Sequence, residues 1–202
     1  MSAMAVPEVE FRALEEGDFP LLARWLAEPQ VRRFYQKTPV TLDEIAREYG
    51  PAVHCEEPTL CHLALSADTP FAYLQCYRNA DYPDWAATIG AEDGVSIDFY
   101  IGDPAFLHRG LGRAALLGYL RRVAFARYAD ERRAYIGHEL TNGTALRCSE
   151  AAGFRRLRTF LEDGIEMVLL AAERQSRRER FLTPARIALR PRPRLRRRRG
   201  AR

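Results

Sequence analysis

No stretch of this 202-residue chain approaches the ~20 consecutive apolar residues that a membrane-spanning helix needs. The opening MSAMAVPEVEF has no basic region followed by a long apolar one, so no secretory leader is expected. Cysteine is sparse: Cys55, Cys61, Cys76 and Cys148 contain no C-x-x-C pair. They read as reduced, mostly buried thiols of a cytoplasmic protein, and with only four histidines no metal site is expected. Gly-Lys-Ser/Thr is absent, which excludes a Walker loop.

What is present is a stretch that organises the rest, Asp98–Tyr119, reading DFYIGDPAFLHRGLGRAALLGY. An apolar run ends at Ile101, Gly102-Asp103-Pro104 breaks it, and His108-Arg109-Gly110-Leu111-Gly112-Arg113 opens an Ala/Leu-rich segment of helical spacing. Strand, basic glycine loop and helix start together can hold a phosphate. Glycines let backbone N–H groups approach the anion, the helix N-terminus adds partial positive charge, and Arg109 and Arg113 offer paired hydrogen bonds. The same residues also fit an ordinary helix-entry turn with solvated arginines. A dinucleotide fingerprint is disfavoured: Ala115 is a permitted third position, but the loop lies far from the N-terminus and has no evident acidic partner.

Along the chain, Val9–Leu14 alternates as a strand, and Phe19–Ala27 reads as an amphipathic helix with Pro20 in its first turn. Thr41–Tyr49 is a second helix, with Thr41 and Glu44 forming a capping box. Cys61–Ser66 and Phe71–Tyr77 are strands about a turn, and Asn79–Gly94 reads as a polar, acidic loop. Val95–Ile101 is the next strand, Arg113–Ala129 a helix, Arg133–Ile136 a strand and Asn142–Ala152 a helix closed by Gly153. Phe154–Phe160 and Ile165–Ala171 flank a Glu162-Asp163-Gly164 hairpin turn. The pattern predicts an α+β domain with a mixed central sheet.

Charge is distributed by segment. From Glu173 onward 13 Arg against 2 Glu give +11, so the first 172 residues carry −7. Residues 1–174 are expected to form the domain. Residues 175–202, without period or sufficient apolar content, are expected to be a disordered basic tail. Such a tail suits either contact with nucleic acid or another anionic surface, or plain solvation.

Arg109-Gly110-Leu111-Gly112-Arg113-Ala114 resembles the acetyl-CoA pyrophosphate loop of the GCN5-related N-acetyltransferases. Asn142, Ala145, Arg147-Cys148 and Gly153-Phe154 resemble that superfamily's second signature. The likeness spans about Glu8 to Arg174. A narrower resemblance, to aminoglycoside 6′-N-acetyltransferases, lies in Ser96–Pro104 running into Leu107–Gly112 and in the Glu162-Asp163-Gly164 hairpin. The resemblance implies a mixed, splayed sheet flanked by helices, acetyl-CoA as co-substrate, no metal, and a small cationic amine as acceptor. No membrane partner is expected, nucleic acid is expected only through the basic tail, and the protein is expected to be a monomer or homodimer.

It also implies roles. Asp98 would take the ammonium proton or orient the cation, and backbone N–H groups at Tyr100 and Ile101 would bond the pantetheine and polarise the thioester. His108 through Ala114, with Asn142, would bind acetyl-CoA. Asp81, Tyr82, Asp84, Trp85 and Glu139 would receive the acceptor, acids drawing the cation and rings stacking on it. Ser149 stands where many members carry a tyrosine that protonates the leaving thiolate, and Gly137-His138-Glu139 stands where relatives often have Asp-Pro. Two other readings stay open: a siderophore-type lysine or hydroxylysine N-acyltransferase, and a CoA-binding relative without turnover.

Overall fold

A computed structural model describes residues 8–174; the expected basic tail lies outside the described residues. The chain runs β1 (Glu10–Ala13), α1 (Phe19–Ala27), α2 (Pro29–Arg32), α3 (Leu42–Val53), β2 (Leu60–Ser66), β3 (Thr69–Arg78), α4 (Pro83–Ile89), β4 (Val95–Ile101) and α5 (Leu111–Tyr119). After a π-helical turn, Leu120–Ala124, come α6 (Phe125–Arg127), β5 (Arg133–Glu139), α7 (Gly143–Ala151), β6 (Arg155–Glu162) and β7 (Ile165–Glu173). The seven strands form one mixed sheet in the order β1-β2-β3-β4-β5-β7-β6.

The sheet is sound on both sides of one weak seam. β4 pairs antiparallel with β3 along its whole length, from Ala72↔Ile101 to Arg78↔Val95. β5 and β7 do the same from Arg133↔Glu173 to Glu139↔Met167. Between them β4 and β5 run parallel and share only Val95↔Ala134 and Ser96↔Tyr135. Past Ser96 the strands diverge.

Side-chain alternation assigns the faces. Val95 and Ile97 belong to a core with Leu111, Ala115, Leu116 and Tyr119 of α5 and Leu146 of α7. Tyr100 joins the opposite core with Tyr73, Leu22 and Trp25 of α1, and Ile45 and Tyr49 of α3. Asp98 lies between Ser96 and Tyr100 in this alternation and so shares their side of β4. Trp25 packs against Gly102, where an added Cβ would fall 2.0 Å from the indole, and Gln30 Nε2 donates to Gly102 O at 3.2 Å. These contacts anchor α1 and α2 beside the end of β4.

Several local expectations are met in detail. Thr41 and Glu44 form the capping box at the start of α3, Asn142 Oδ1 accepts from Ala145 N–H at the start of α7, and Asp163 and Gly164 turn the hairpin with φ of +48° and +80°. Three differ. The acidic loop contains α4, which starts at Pro83 and is closed by Gly90 at φ +53°. Its Ala86 and Ile89 are buried, so the apolar spacing sits inside a polar run. The long helix after Arg113 is interrupted by the π-helical turn. α3 continues through Pro51 to Val53, beyond the expected end at Tyr49.

Candidate active site

A cleft of about 500 Å³ opens where β4 and β5 part. Its walls are the end of β4 (Asp98–Ile101), the end of β5 (Gly137–Glu139) and the first turns of α7. Residues 30–35, at and after α2, cover one side, and Leu107 carries the lining to the threshold of the glycine loop.

Asp98 is half-buried and held from behind. Gln75 Nε2, directly across on β3, donates to Asp98 Oδ2 at 2.7 Å, and the Tyr73 hydroxyl donates to Gln75 Oε1 at 2.6 Å. Burial pushes the Asp98 carboxyl above its ordinary value, and the Gln75 bond opposes part of that rise. A carboxylate with raised proton affinity is suited to accept a proton near neutrality. Tyr35, whose ring lies 4.6 Å from that of Tyr100, closes the space above it.

Two more carboxylates share the cleft. Glu162 lines it, its pKa raised by burial and by the Asp98 charge. Glu139 lines it too and is ion-paired at 2.5 Å with Lys37 Nζ. Trp85 forms part of the wall, its indole N–H donating to Ser96 Oγ at 2.8 Å and its ring set edge-on to Phe160 at 6.1 Å. Asp81 and Asp84 are exposed and lie outside the lining. Tyr82 lines an adjoining cavity of about 420 Å³ with Gln75, Tyr77 and Trp85, and its hydroxyl is 2.5 Å from Thr59 Oγ1.

The glycine loop forms a turn onto a helix. His108 and Gly110 take φ of +59° and +76°, and α5 begins at Leu111. The first N–H groups of a helix have no intrahelical partner, so those at Leu111, Gly112 and Arg113 are available to an anion. The side chains of Leu111 and Ala114 are buried in the core, while His108, Arg109 and Arg113 are exposed. Gly112 is required by close approach: a Cβ there would lie 2.9 Å from Cys148 Sγ on α7. Cys148 lines the cleft, yet burial pushes its thiol up to about 11, so it stays protonated at neutral pH.

Ser149 is fully buried, and its hydroxyl lies 2.8 Å from His138 Nε2. His138 is the member of this pair that lines the cleft. Burial lowers its pKa to about 4, so it stands neutral at physiological pH. Asn142 also lines the cleft while capping α7. Sequence reasoning missed Gln75 as the partner of Asp98, and Tyr35 and Glu162 as cleft groups. The pairing of β3 with β4 sets Gln75 behind Asp98, the return of the hairpin brings Glu162 to the cleft, and the segment after α2 brings Tyr35. Among the described residues no group of three or more His, Cys, Asp and Glu is arranged to hold a metal ion.

Comparison with known proteins agrees with this architecture. The family model described as an acetyltransferase (GNAT) domain matches residues 15–161. An aminoglycoside N(6′)-acetyltransferase type 1 from Klebsiella pneumoniae is 25% identical over 171 residues, covering 83% of this chain and 84% of that protein. The same-named protein from Serratia marcescens is 26% identical over equal coverage. Aminoglycoside acetyltransferase AAC(6′)-Ib, solved with coenzyme A and kanamycin, superposes with a TM-score of 0.68 at 22% identity, covering 87% of this chain and all of that one. Spermidine N-acetyltransferase from Vibrio cholerae, solved with CoA and spermine, gives 0.64 at 15% identity, covering 82% and 95%. The match over most of the chain, on a splayed sheet with a glycine loop at its cleft, makes this chain a member of the GNAT acetyltransferase family.

Proposed function

We propose that this protein transfers the acetyl group of acetyl-CoA to a primary amine of a small cationic acceptor, with the 6′-amine of an aminoglycoside as the favoured acceptor. The observation that carries the reading is the convergence of Asp98, Glu139 and Glu162 with Trp85 on one cleft in the splay. Three carboxylates and an aromatic wall attract and orient a cation. The curated relatives named for aminoglycoside acetylation, and the solved neighbour holding kanamycin, support the choice of acceptor.

In this reading acetyl-CoA supplies the activated acyl group. Its pyrophosphate is held by the N–H groups at the start of α5, from Gly110 through Arg113, with Ala114 packing that first turn onto the core, Arg109, Arg113 and His108 around it and Asn142 on the facing helix. Backbone N–H groups at the end of β4, at Tyr100 and Ile101, polarise the thioester carbonyl. Asp98, oriented by Gln75, takes a proton from the bound ammonium. Glu139, Glu162 and Trp85 position the acceptor, while Tyr82 and Trp85 open onto the adjoining cavity. Ser149 acts through His138, whose neutral ring it holds against the cleft. Asp81 and Asp84 contribute only to the field of the surface. The catalytic unit is residues 1–174, and 175–202 is an appended basic tail. Four free thiols suit the cytoplasm as its compartment, and among the described residues no helix is long and apolar enough to cross a membrane.

The test is thiol release from acetyl-CoA with kanamycin, tobramycin or free lysine derivatives as acceptor. Turnover on the drugs, with product acetylated at the 6′-amine, is the expected result. Turnover confined to lysine derivatives would move the acceptor to the siderophore type. Acetyl-CoA binding without turnover on any amine would reject catalysis.

A further inference from the structure

Of the 31 basic residues in this chain 30 are arginine, and one, Lys37, is lysine. A guanidinium stays protonated in proteins, whereas a lysine ammonium can lose its proton and attack an acyl group. The chain therefore carries a single side-chain primary amine. The fold brings it to the cleft. After α2 the backbone runs without regular structure from Arg33 to Thr41, and Arg33, Phe34 and Tyr35 line the cavity. Two residues on, Lys37 Nζ sits 2.5 Å from Glu139 Oε1 at the cavity wall. The Lys37 side chain is half-exposed, while that of Glu139 is only 13% exposed. A cation already occupies one of the carboxylates that the acceptor is proposed to use.

We propose that Lys37 is a self-acetylation site, modified by the cleft it borders. The inference rests on the acetyl-transfer reading given above. When the ion pair opens, the flexible four-carbon stem lets Nζ leave Glu139 and enter the cavity. Nζ loses one proton to a carboxylate or solvent and its lone pair attacks the thioester carbonyl. The C–N bond forms, the C–S bond breaks, the second proton leaves the nitrogen, and CoA departs as the thiol. The product is a neutral amide with no charge to offer Glu139. Acetylation thus unties residues 33–41 from β5 and returns one negative charge to the acceptor wall. A cationic acceptor that takes Glu139 from Lys37 competes with the modification.

Full-length protein is incubated with acetyl-CoA alone and followed by intact mass and tryptic mapping. One acetyl group per chain is expected, at a first-order rate independent of protein concentration. Trypsin, blocked at Lys37, then yields a peptide spanning 34–47 in place of 34–37 and 38–47. Lys37→Arg abolishes the label, Asp98→Asn slows it by about tenfold or more, and kanamycin added in excess slows it. A chain that stays unlabelled, a label confined to the N-terminal amine, or an Asp98→Asn chain labelled at the unmodified rate would each overturn the proposal. Thiol release on kanamycin with Lys37 unlabelled overturns self-acetylation alone; loss of both overturns the acetyl-transfer reading with it.

Discussion

At the scale of the residue, Asp98 owes its proposed chemistry to its neighbours. The Gln75 amide favours the ionised carboxylate and desolvation disfavours it, with desolvation the larger effect. Gln75→Leu removes the opposing bond and is expected to raise the Asp98 pKa further. The acid limb of the kcat/KM profile then moves to higher pH, whereas a purely packing role for Gln75 would lower stability and leave that limb in place. His138 has the converse behaviour. It is buried neutral with a pKa of about 4 against an ordinary 6.5. Between those values the unfolded chain binds a proton that the folded chain does not, so stability falls as pH drops from 6.5 towards 4. The loss reaches on the order of 3 kcal/mol below that window. Thermal melts at pH 4.5 and 7 are expected to differ less for His138→Gln than for the unmodified chain. Asp98 was legible in the sequence because it sits in a signature stretch. Gln75 was not, because its role exists only through the register of β3 against β4.

Among the elements, α5 and α7 meet where Gly112 faces Cys148. Alanine is the better helix former by about 1 kcal/mol, so helix propensity alone predicts that Gly112→Ala stabilises. The close approach reverses the sign: an expected loss of about 1–3 kcal/mol, measured by urea unfolding. Gly112→Ala with Cys148→Ala should recover part of it, since the atom in the way is the sulfur. Elements were readable where local chemistry was decisive. The capping box of α3, the Asn142 cap of α7 and the Asp163-Gly164 turn each rest on residues adjacent in sequence. α4 was hidden because four acids and a polar setting obscured Trp85, Ala86 and Ile89, although Pro83 and Gly90 marked its ends. The π-helical turn after α5 has no comparable local signal, as Leu120–Ala124 reads as helix by every residue in it.

For the molecule as a whole, the charge over residues 1–172 is −7 and the remainder carries +11. If the acidic portion draws in a cationic acceptor, screening must weaken the attraction, because the Debye length shortens to about 3 Å at 1 M salt. KM for kanamycin is expected to rise with ionic strength while kcat changes little, as read from initial rates at low and high salt. A flat KM would assign recognition to the stacked rings alone. The order of strands was not written in any segment, since β7 enters between β5 and β6 only when the hairpin folds back.

The two-rung seam between β4 and β5 leaves each strand with a free edge inside the sheet. Edges of this kind ordinarily recruit other strands and drive aggregation. Here the chain from 30 to 35 fences one side and α7 the other. What such an edge still offers is ladder positions, open to a guest that carries amides of its own.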